Sequence, residues 1–304
     1  MIPQPPEKTI KAKPFLKWAG GKSQLIPQIE AALPKNFGKK ELIYVEPFAG
    51  SGAAMFWMLK KFPNISTAVI NDVNADLCNA FLAIKNSPRQ LIDCLWAIEK
   101  EYYALKTEEG RRGYFLQKRE AFNSRLLITT EHTALLIFLN RTCFNGLYRV
   151  NSKNRFNVPF GKYANPKICD EETILADSAI LQRVTILNGD YANTLAYAGP
   201  DAFFYFDPPY KPISKTASFN AYANGAFNDA EQVRLKAFCD TLTQKNCAWL
   251  LSNSDPKNIN PTDNFFDELY SGAGITINRV LAKRSINSNS AKRGEIKELL
   301  ICNY

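Results

Sequence analysis

Apolar positions fall in short runs separated by amphipathic stretches. Leu42–Glu46, Thr67–Asn71, Val184–Leu187, Ala202–Phe206 and Cys247–Leu251 are rich in branched and aromatic residues. Runs of this length and composition predict strands buried on both faces. Helical patterns lie around Ala53 to Lys60, from about Asn74, and near 173–182, 229–244 and 263–270. Strands alternating with helices predict βαβ units and an α/β, doubly wound sheet. Ile275–Leu281 and Glu298–Cys302 read as two more strands with no long helix between them, a pair suited to an antiparallel sheet edge. From about Pro88 to Asn140 the period is helical, with Leu91, Leu95, Ile98, Tyr102 and Leu105 on one face. A basic stretch follows, and its Asn151-Ser-Lys-Asn154 tetrapeptide predicts a hairpin turn. Residues 88–168 are therefore expected to form an inserted, mainly helical domain ending in a basic hairpin. Residues 1–87 and 169–304 would form the α/β domain.

Composition narrows the chemistry. With 304 residues and 46% hydrophobic content, the chain can bury a sizeable core. Its longest apolar run, Ala53–Leu59, falls well short of the ~20 residues that span a bilayer, so no membrane partner is expected. The start mixes prolines with Glu7, Lys8, Lys11 and Lys13 instead of a signal-peptide core, which predicts a cytoplasmic protein. The seven cysteines form no C-x-x-C pair, so reduced thiols are the expectation. One histidine, His132, excludes a His-rich metal site, and no metal is expected. It follows Glu131 at the start of an apolar helical pattern, a poor place for a general base.

The net charge of +9 is unevenly spread. Residues 1–40 hold eight lysines against Glu7 and Glu30; residues 141–167 hold six basic side chains and no acid; residues 279–297 hold six against Glu295. Such clusters on an otherwise acidic chain suit a polyanionic partner, because each phosphate contact releases counterions. Solubilising surface charge is the competing explanation.

Three tracts carry candidate chemistry. Glu46-Pro-Phe-Ala-Gly50-Ser-Gly52 follows a strand and opens a helix, and Asp72 ends the next strand 20 residues beyond Gly52. Gly50 and Gly52 let a ligand approach the backbone, and an acid at Asp72 can accept both hydrogen bonds of a ribose diol. The third glycine of a dinucleotide fingerprint is missing, which favours a nucleoside without phosphates, such as S-adenosylmethionine. A tight turn beside a helix-capping Asp is the alternative. Phe15–Ser23 contains Gly21-Lys22-Ser23, but Leu16 stands where a phosphate loop needs its first glycine. Asp207-Pro208-Pro209-Tyr210 follows the very apolar Ala202–Phe206 run. A carboxylate, a fixed carbonyl and an aromatic ring at that strand end match an amino group on a planar ring.

Lys17-Trp-Ala-Gly-Gly-Lys22, Glu46–Gly52, Asp72 and Asp207–Tyr210 occur in the order found in the alpha class of DNA N6-adenine methyltransferases. The chain resembles the DNA adenine methylase (Dam) family in particular. The resemblance extends to Asn140-Arg141, Phe144–Arg149, Phe156–Lys162, Thr216–Tyr222, Ser252-Asn253 and Arg284–Ser288, so it runs from about residue 14 to 302. It implies a Rossmann-like methyltransferase sheet of seven strands with one reversed, and a target-recognition insertion. It implies a monomer acting on double-stranded DNA, with S-adenosylmethionine as cofactor. Trp18, Lys22, Glu46, Phe48, Gly50, Gly52, Asp72, Asp190 and Asp207 would bind that cofactor. Asp207, Pro208, Pro209 and Tyr210 would receive an adenine flipped from the duplex, since its amino group is otherwise buried in the stack. By resemblance to GATC-specific members, Lys17 would contact the first guanine and Arg149 a guanine of the second half-site, while Leu147 and Pro159 would make apolar base contacts. Phe144 would wedge into the opened stack, and Arg141, Asn145 and Lys162 would clamp phosphates. An RNA adenine methyltransferase or a catalytically silent DNA-binding protein remain alternatives. Asp207 at the head of its motif argues against a glutamine-modifying enzyme, which normally has Asn there.

Overall fold

The computed structural model describes residues 12–18, 24–211, 227–283 and 295–304. Seven strands form one mixed sheet: β1 (Leu42–Glu46), β2 (Ile65–Asp72), β3 (Val184–Asn188), β4 (Ala202–Phe206), β5 (Ala248–Ser254), β6 (Thr276–Lys283) and β7 (Glu295–Cys302). Their order is β3-β2-β1-β4-β5-β7-β6. β1 pairs parallel with β2 and β4, and β4 with β5; β7 runs antiparallel to both neighbours and is the reversed strand. The expected α/β methyltransferase sheet, with its antiparallel edge pair, is present. β1 and β4 present little to solvent. Tyr44 and Val45 are fully buried, and all five β4 residues are buried.

Among the described residues the helices are α1 (Ile26–Ala32), α2 (Ala53–Lys61), α3 (Ala75–Asn86), α4 (Pro88–Ala104), α5 (Glu108–Ser124), α6 (Thr129–Thr142), α7 (Glu171–Leu181), α8 (Asp229–Gln244) and α9 (Phe265–Leu269). No helix among the described residues is long and apolar enough to cross a membrane.

The chain divides into two compact units. The first comprises Met1–Gly20, Gly50–Lys61 and Ala75–Val184; the second comprises Gly21–Ala49, Phe62–Asn74 and Thr185–Tyr304. The 88–168 segment lies wholly in the first unit, which also takes in α2, α3, α7 and the N-terminal strap. The predicted face of α4 is real: Leu91, Leu95, Ile98 and Tyr102 are buried, and Leu105 caps the helix. In the second unit, Val45, Phe204, Phe206, Trp249, Leu251, Leu299 and Ile301 of the sheet pack with Leu235, Phe238 and Leu242 of α8.

The basic hairpin turns where expected but forms no strand ladder. Only isolated bridges join Val150 to Phe156 and Cys143 to Phe160. Pro159 has no amide hydrogen to donate. Asn123 of α5 takes the place of a strand partner: its Oδ1 accepts from the Phe156 amide at 2.7 Å and its Nδ2 donates to the Phe156 carbonyl at 3.1 Å.

Candidate functional site

In the second unit the candidate residues gather at the carboxyl ends of parallel strands. The strand order reverses between β1 and β4, the place where open α/β sheets bind ligands. Glu46 ends β1, Asp72 ends β2, and Asp207 follows β4. Glu46 is buried and accepts a hydrogen bond from the Tyr44 hydroxyl at 2.8 Å. Phe48 packs with Tyr191 and Phe227, ring centroids 5.1 and 5.5 Å away. Asp72 Oδ1 accepts from the Asn74 amide at 2.9 Å, in the small turn that opens α3. Asn71, buried beside it, donates Nδ2 to the carbonyls of Pro47 and Gly189, both at 3.0 Å. It thereby ties the loop after β1 to the loop after β3. Asp190 caps the turn at Tyr191–Tyr197, accepting from the Ala192 amide at 2.8 Å, and pairs with Arg234 at 2.7 Å. The Arg234 hydrogen bond holds its carboxyl below the usual carboxylate range.

The Asp207–Tyr210 loop is fastened from several sides. Ser252 Oγ of β5 lies 3.2 Å from Asp207 Oδ1. The Tyr210 hydroxyl donates to Glu298 Oε2 of β7 at 2.8 Å. Burial, and then the charges of Asp207 and Glu298, push that phenol well above its ordinary value. Gln232 of α8 donates to the Pro209 carbonyl at 3.3 Å and accepts from Asn253 Nδ2 at 3.1 Å. Asn253 Oδ1 accepts from the Lys211 amide at 3.2 Å, and Ser254 Oγ donates to the Lys211 carbonyl at 2.8 Å. Buried polar side chains with their partners satisfied hold a loop in one conformation. Gln232, Ser254, Glu298 and Asn71 were not anticipated from the sequence. Polar residues in an otherwise apolar strand, such as Ser252-Asn-Ser254, were the available signal.

In the first unit, Gly50 adopts φ +50° and Gly52 φ +74°. A Cβ on Gly50 would stand 3.3 Å from the Trp18 indole, so glycine suits the site on both conformation and space. Trp18 stacks on Tyr148, centroids 5.3 Å apart. Lys22 lies outside the described residues, as do Thr216–Tyr222 and Arg284–Ser288.

The strap carrying Lys17 and Trp18 is pinned by side chains. Asn140 Oδ1 accepts from the Lys17 amide at 2.8 Å, and its Nδ2 donates to the carbonyls of Lys17 at 2.9 Å and Gly146 at 2.8 Å. Gly146, at φ +63°, leaves no room for a side chain: its Cβ would come within 2.8 Å of Lys17 Cβ. The Lys17 ammonium stands over the Tyr163 ring at 5.1 Å. Asn145 is left-handed at φ 56°, and its amide donates to the Tyr163 hydroxyl at 2.9 Å. Phe144 is half exposed, and its amide donates to the Pro159 carbonyl at 2.8 Å.

Three expectations meet a different environment. Arg141, expected to clamp a phosphate, turns inward and donates to the Phe15 carbonyl at 2.8 Å; burial lowers its pKa. Lys162 pairs with Glu108 of α5 at 2.6 Å, and Arg155 pairs with Glu120. The 141–167 segment is acid-free in sequence but not in space, because α5 supplies carboxylates. Arg149 is exposed and locked to Asn157: Nε to Oδ1 at 2.7 Å, and Nη2 to the carbonyl at 3.3 Å.

A family model described as D12 class N6 adenine-specific DNA methyltransferase matches residues 18–286. The chain is 43% identical to the type II methyltransferase M.MjaIII of Methanocaldococcus jannaschii over 299 residues, 97% of this chain and 100% of that protein. It is 36% identical to the type II methyltransferase M1.LlaDCHI of Lactococcus lactis subsp. cremoris, covering 97% of this chain and 96% of the relative. It is 35% identical to a DNA adenine methylase of Haemophilus influenzae, covering 96% and 93%.

Proposed function

The chain belongs to the D12 class of N6 adenine-specific DNA methyltransferases, and from that premise we propose that it methylates adenine in double-stranded GATC sites with S-adenosylmethionine as donor. The observation that carries this reading is the Asp207–Tyr210 loop, fastened at the carboxyl end of β4 with a carboxylate, a carbonyl and an aromatic ring on one short stretch. By the family resemblance, the Pro208 carbonyl and Asp207 would accept the two amino hydrogens, while Ser252 and Gln232 hold the loop around them. Those hydrogen bonds would favour localising the nitrogen lone pair, which is otherwise delocalised into the ring. Tyr210, its hydroxyl held by Glu298, would present its ring to the base. A loop held by such hydrogen bonds would supply positioning and electrostatic stabilisation with little reorganisation.

The residues fit the proposed donor. Positive φ at Gly50 and Gly52 permits close backbone approach, and Asp72 offers a carboxylate at the end of β2. By resemblance, the proposed ligands are Glu46, Phe48, Asp72, Asp190 and Asp207 of the second unit, Trp18, Gly50 and Gly52 of the first, and Lys22. When bound, S-adenosylmethionine would supply a methyl group on a cationic sulfur that is a good leaving group.

Within the first unit, Lys17, Phe144, Asn145, Leu147, Arg149, Pro159 and Lys162 form the proposed DNA-reading surface, with residues 88–168 at its centre. A plasmid propagated with the gene in a methylation-deficient host tests the proposal through digestion by enzymes sensitive to adenine methylation. Protection at GATC is expected. Methylation of adenine elsewhere would overturn the site assignment alone, and absence of N6-methyladenine would overturn the reading.

A further inference from the structure

His132, the sole histidine in the chain, is buried in the first unit and stacks on Phe122, ring centroids 4.2 Å apart. Its Nε2 lies 3.1 Å from Oδ1 of Asp76, in the first turn of α3. The Arg125 guanidinium pairs with the same oxygen, and the Tyr148 hydroxyl donates to Oδ2 at 2.7 Å. Burial alone would raise the Asp76 carboxyl; hydrogen bonds from His132, Tyr148 and Arg125 outweigh it and bring the pKa to about 2. The hub thus holds an ionised carboxylate.

The hub reaches two places with proposed roles. Arg125 Nη2 donates to the Asn154 carbonyl at 3.0 Å, in the hairpin turn. Tyr148 sits in the chain between Leu147 and Arg149, and its ring lies on Trp18 at an interplanar angle of 27°. Trp18 in turn closes on the backbone of Gly50. One tyrosine ring therefore has base-reading candidates as its chain neighbours, a fixed carboxylate on its hydroxyl and a cofactor-binding candidate on its face.

We propose that Tyr148, held by Asp76, is a positioning residue that couples duplex engagement at Leu147–Arg149 to cofactor binding at Trp18; the proposal rests on the methyltransferase reading above. A partly buried hydroxyl bonded to a carboxylate resists rotation, because breaking that bond leaves a desolvated charge short of a donor. A shift of the 147–149 backbone on DNA must therefore pivot the ring about its anchored hydroxyl, and the stacked indole follows. A ligand resting on Trp18 restrains the same ring from the other side. Linkage makes the effect reciprocal: each ligand changes the affinity of the other by one common factor.

Calorimetric titration of the intact protein with S-adenosylmethionine, with and without a GATC duplex, measures that factor. The reverse titration with duplex checks it. In the native protein a factor of roughly 5 or more is expected, the lower end of ordinary coupling. Tyr148→Phe keeps the ring and removes the hydroxyl, and should bring the factor to within about twofold of one while each ligand alone still binds. Asp76→Ala, which leaves Tyr148 intact and removes its partner, should do the same and serves if Tyr148→Phe fails to fold, judged by circular dichroism. A native factor of one, or an unchanged factor in the folded variants, overturns the proposal. If the native protein methylates no adenine, the functional reading fails and this inference falls with it. A native protein that methylates DNA without coupling refutes the inference alone.

Discussion

Arg149 and Lys162 lie in one basic segment yet should fail in different ways when removed. Arg149 spends Nε and one Nη2 hydrogen on Asn157, so three of its five donors remain for a guanine edge. Losing a bidentate contact to guanine costs about 1–3 kcal/mol of discrimination, roughly 5–150-fold at one base pair. Asn157→Ala leaves the arginine but frees it, and the cost of immobilising such a side chain on binding, about 0.5–1.5 kcal/mol, becomes the loss. Discrimination at the same base pair should then fall about 2- to 10-fold. Lys162 already has Glu108 at 2.6 Å in an exposed pair, so a phosphate must displace a carboxylate and not only counterions. Lys162→Ala should weaken all sequences alike and lower the salt slope by less than the ~0.9 expected for a free cation. The assay is the methylation rate on GATC and its single-base variants, for all three substitutions, at several salt concentrations. A uniform drop for Arg149→Ala would make Arg149 another phosphate contact and refute the reasoning.

Asp207→Ala should abolish methyl transfer and leave salt-dependent duplex binding in place, a split read by single-turnover kinetics beside filter binding. Gln232→Ala removes the hydrogen bond to the Pro209 carbonyl and strands the buried Asn253 amide, at a cost of about 2–4 kcal/mol in denaturant unfolding, with kcat falling more than duplex affinity. Asp177, buried in α7 with Oδ1 on the Lys13 amide at 3.0 Å, has its carboxyl pushed up by burial to about 8. A carboxyl raised in the folded state stabilises fully below its unfolded value near 4, and that stability is lost as pH rises through about 8. The melting temperature of the native chain should therefore fall relative to Asp177→Asn across that range, and parallel pH profiles would show that the carboxyl is not held protonated.

Local pattern was enough for the elements of the sheet. Leu42–Val45 and Ala202–Phe206 are short apolar runs rich in branched and aromatic residues, which suits buried strands, and the Asp207–Tyr210 and Gly50–Gly52 turns follow directly from strand ends. The helical period of 88–105 was legible for the same reason: Leu91, Leu95, Ile98 and Tyr102 fall on one stripe. The surroundings of the charges were not. Arg141 and Lys162 look equivalent as basic residues of one segment, yet one is desolvated against the Phe15 carbonyl and the other faces Glu108 of a separate helix. Hydrogen bonds between residues such as Lys17 and Asn140, 123 positions apart, leave no periodic trace. What the chain alone determined is the set of strands, the turns at their ends and the residue types offered there, because these depend on neighbours within a few positions. Which carboxylate meets which cation, how the Asp207 loop is clamped and where the Tyr148 ring rests were decided by tertiary packing. Partners in those contacts come from separate elements, and burial sets the strength of each.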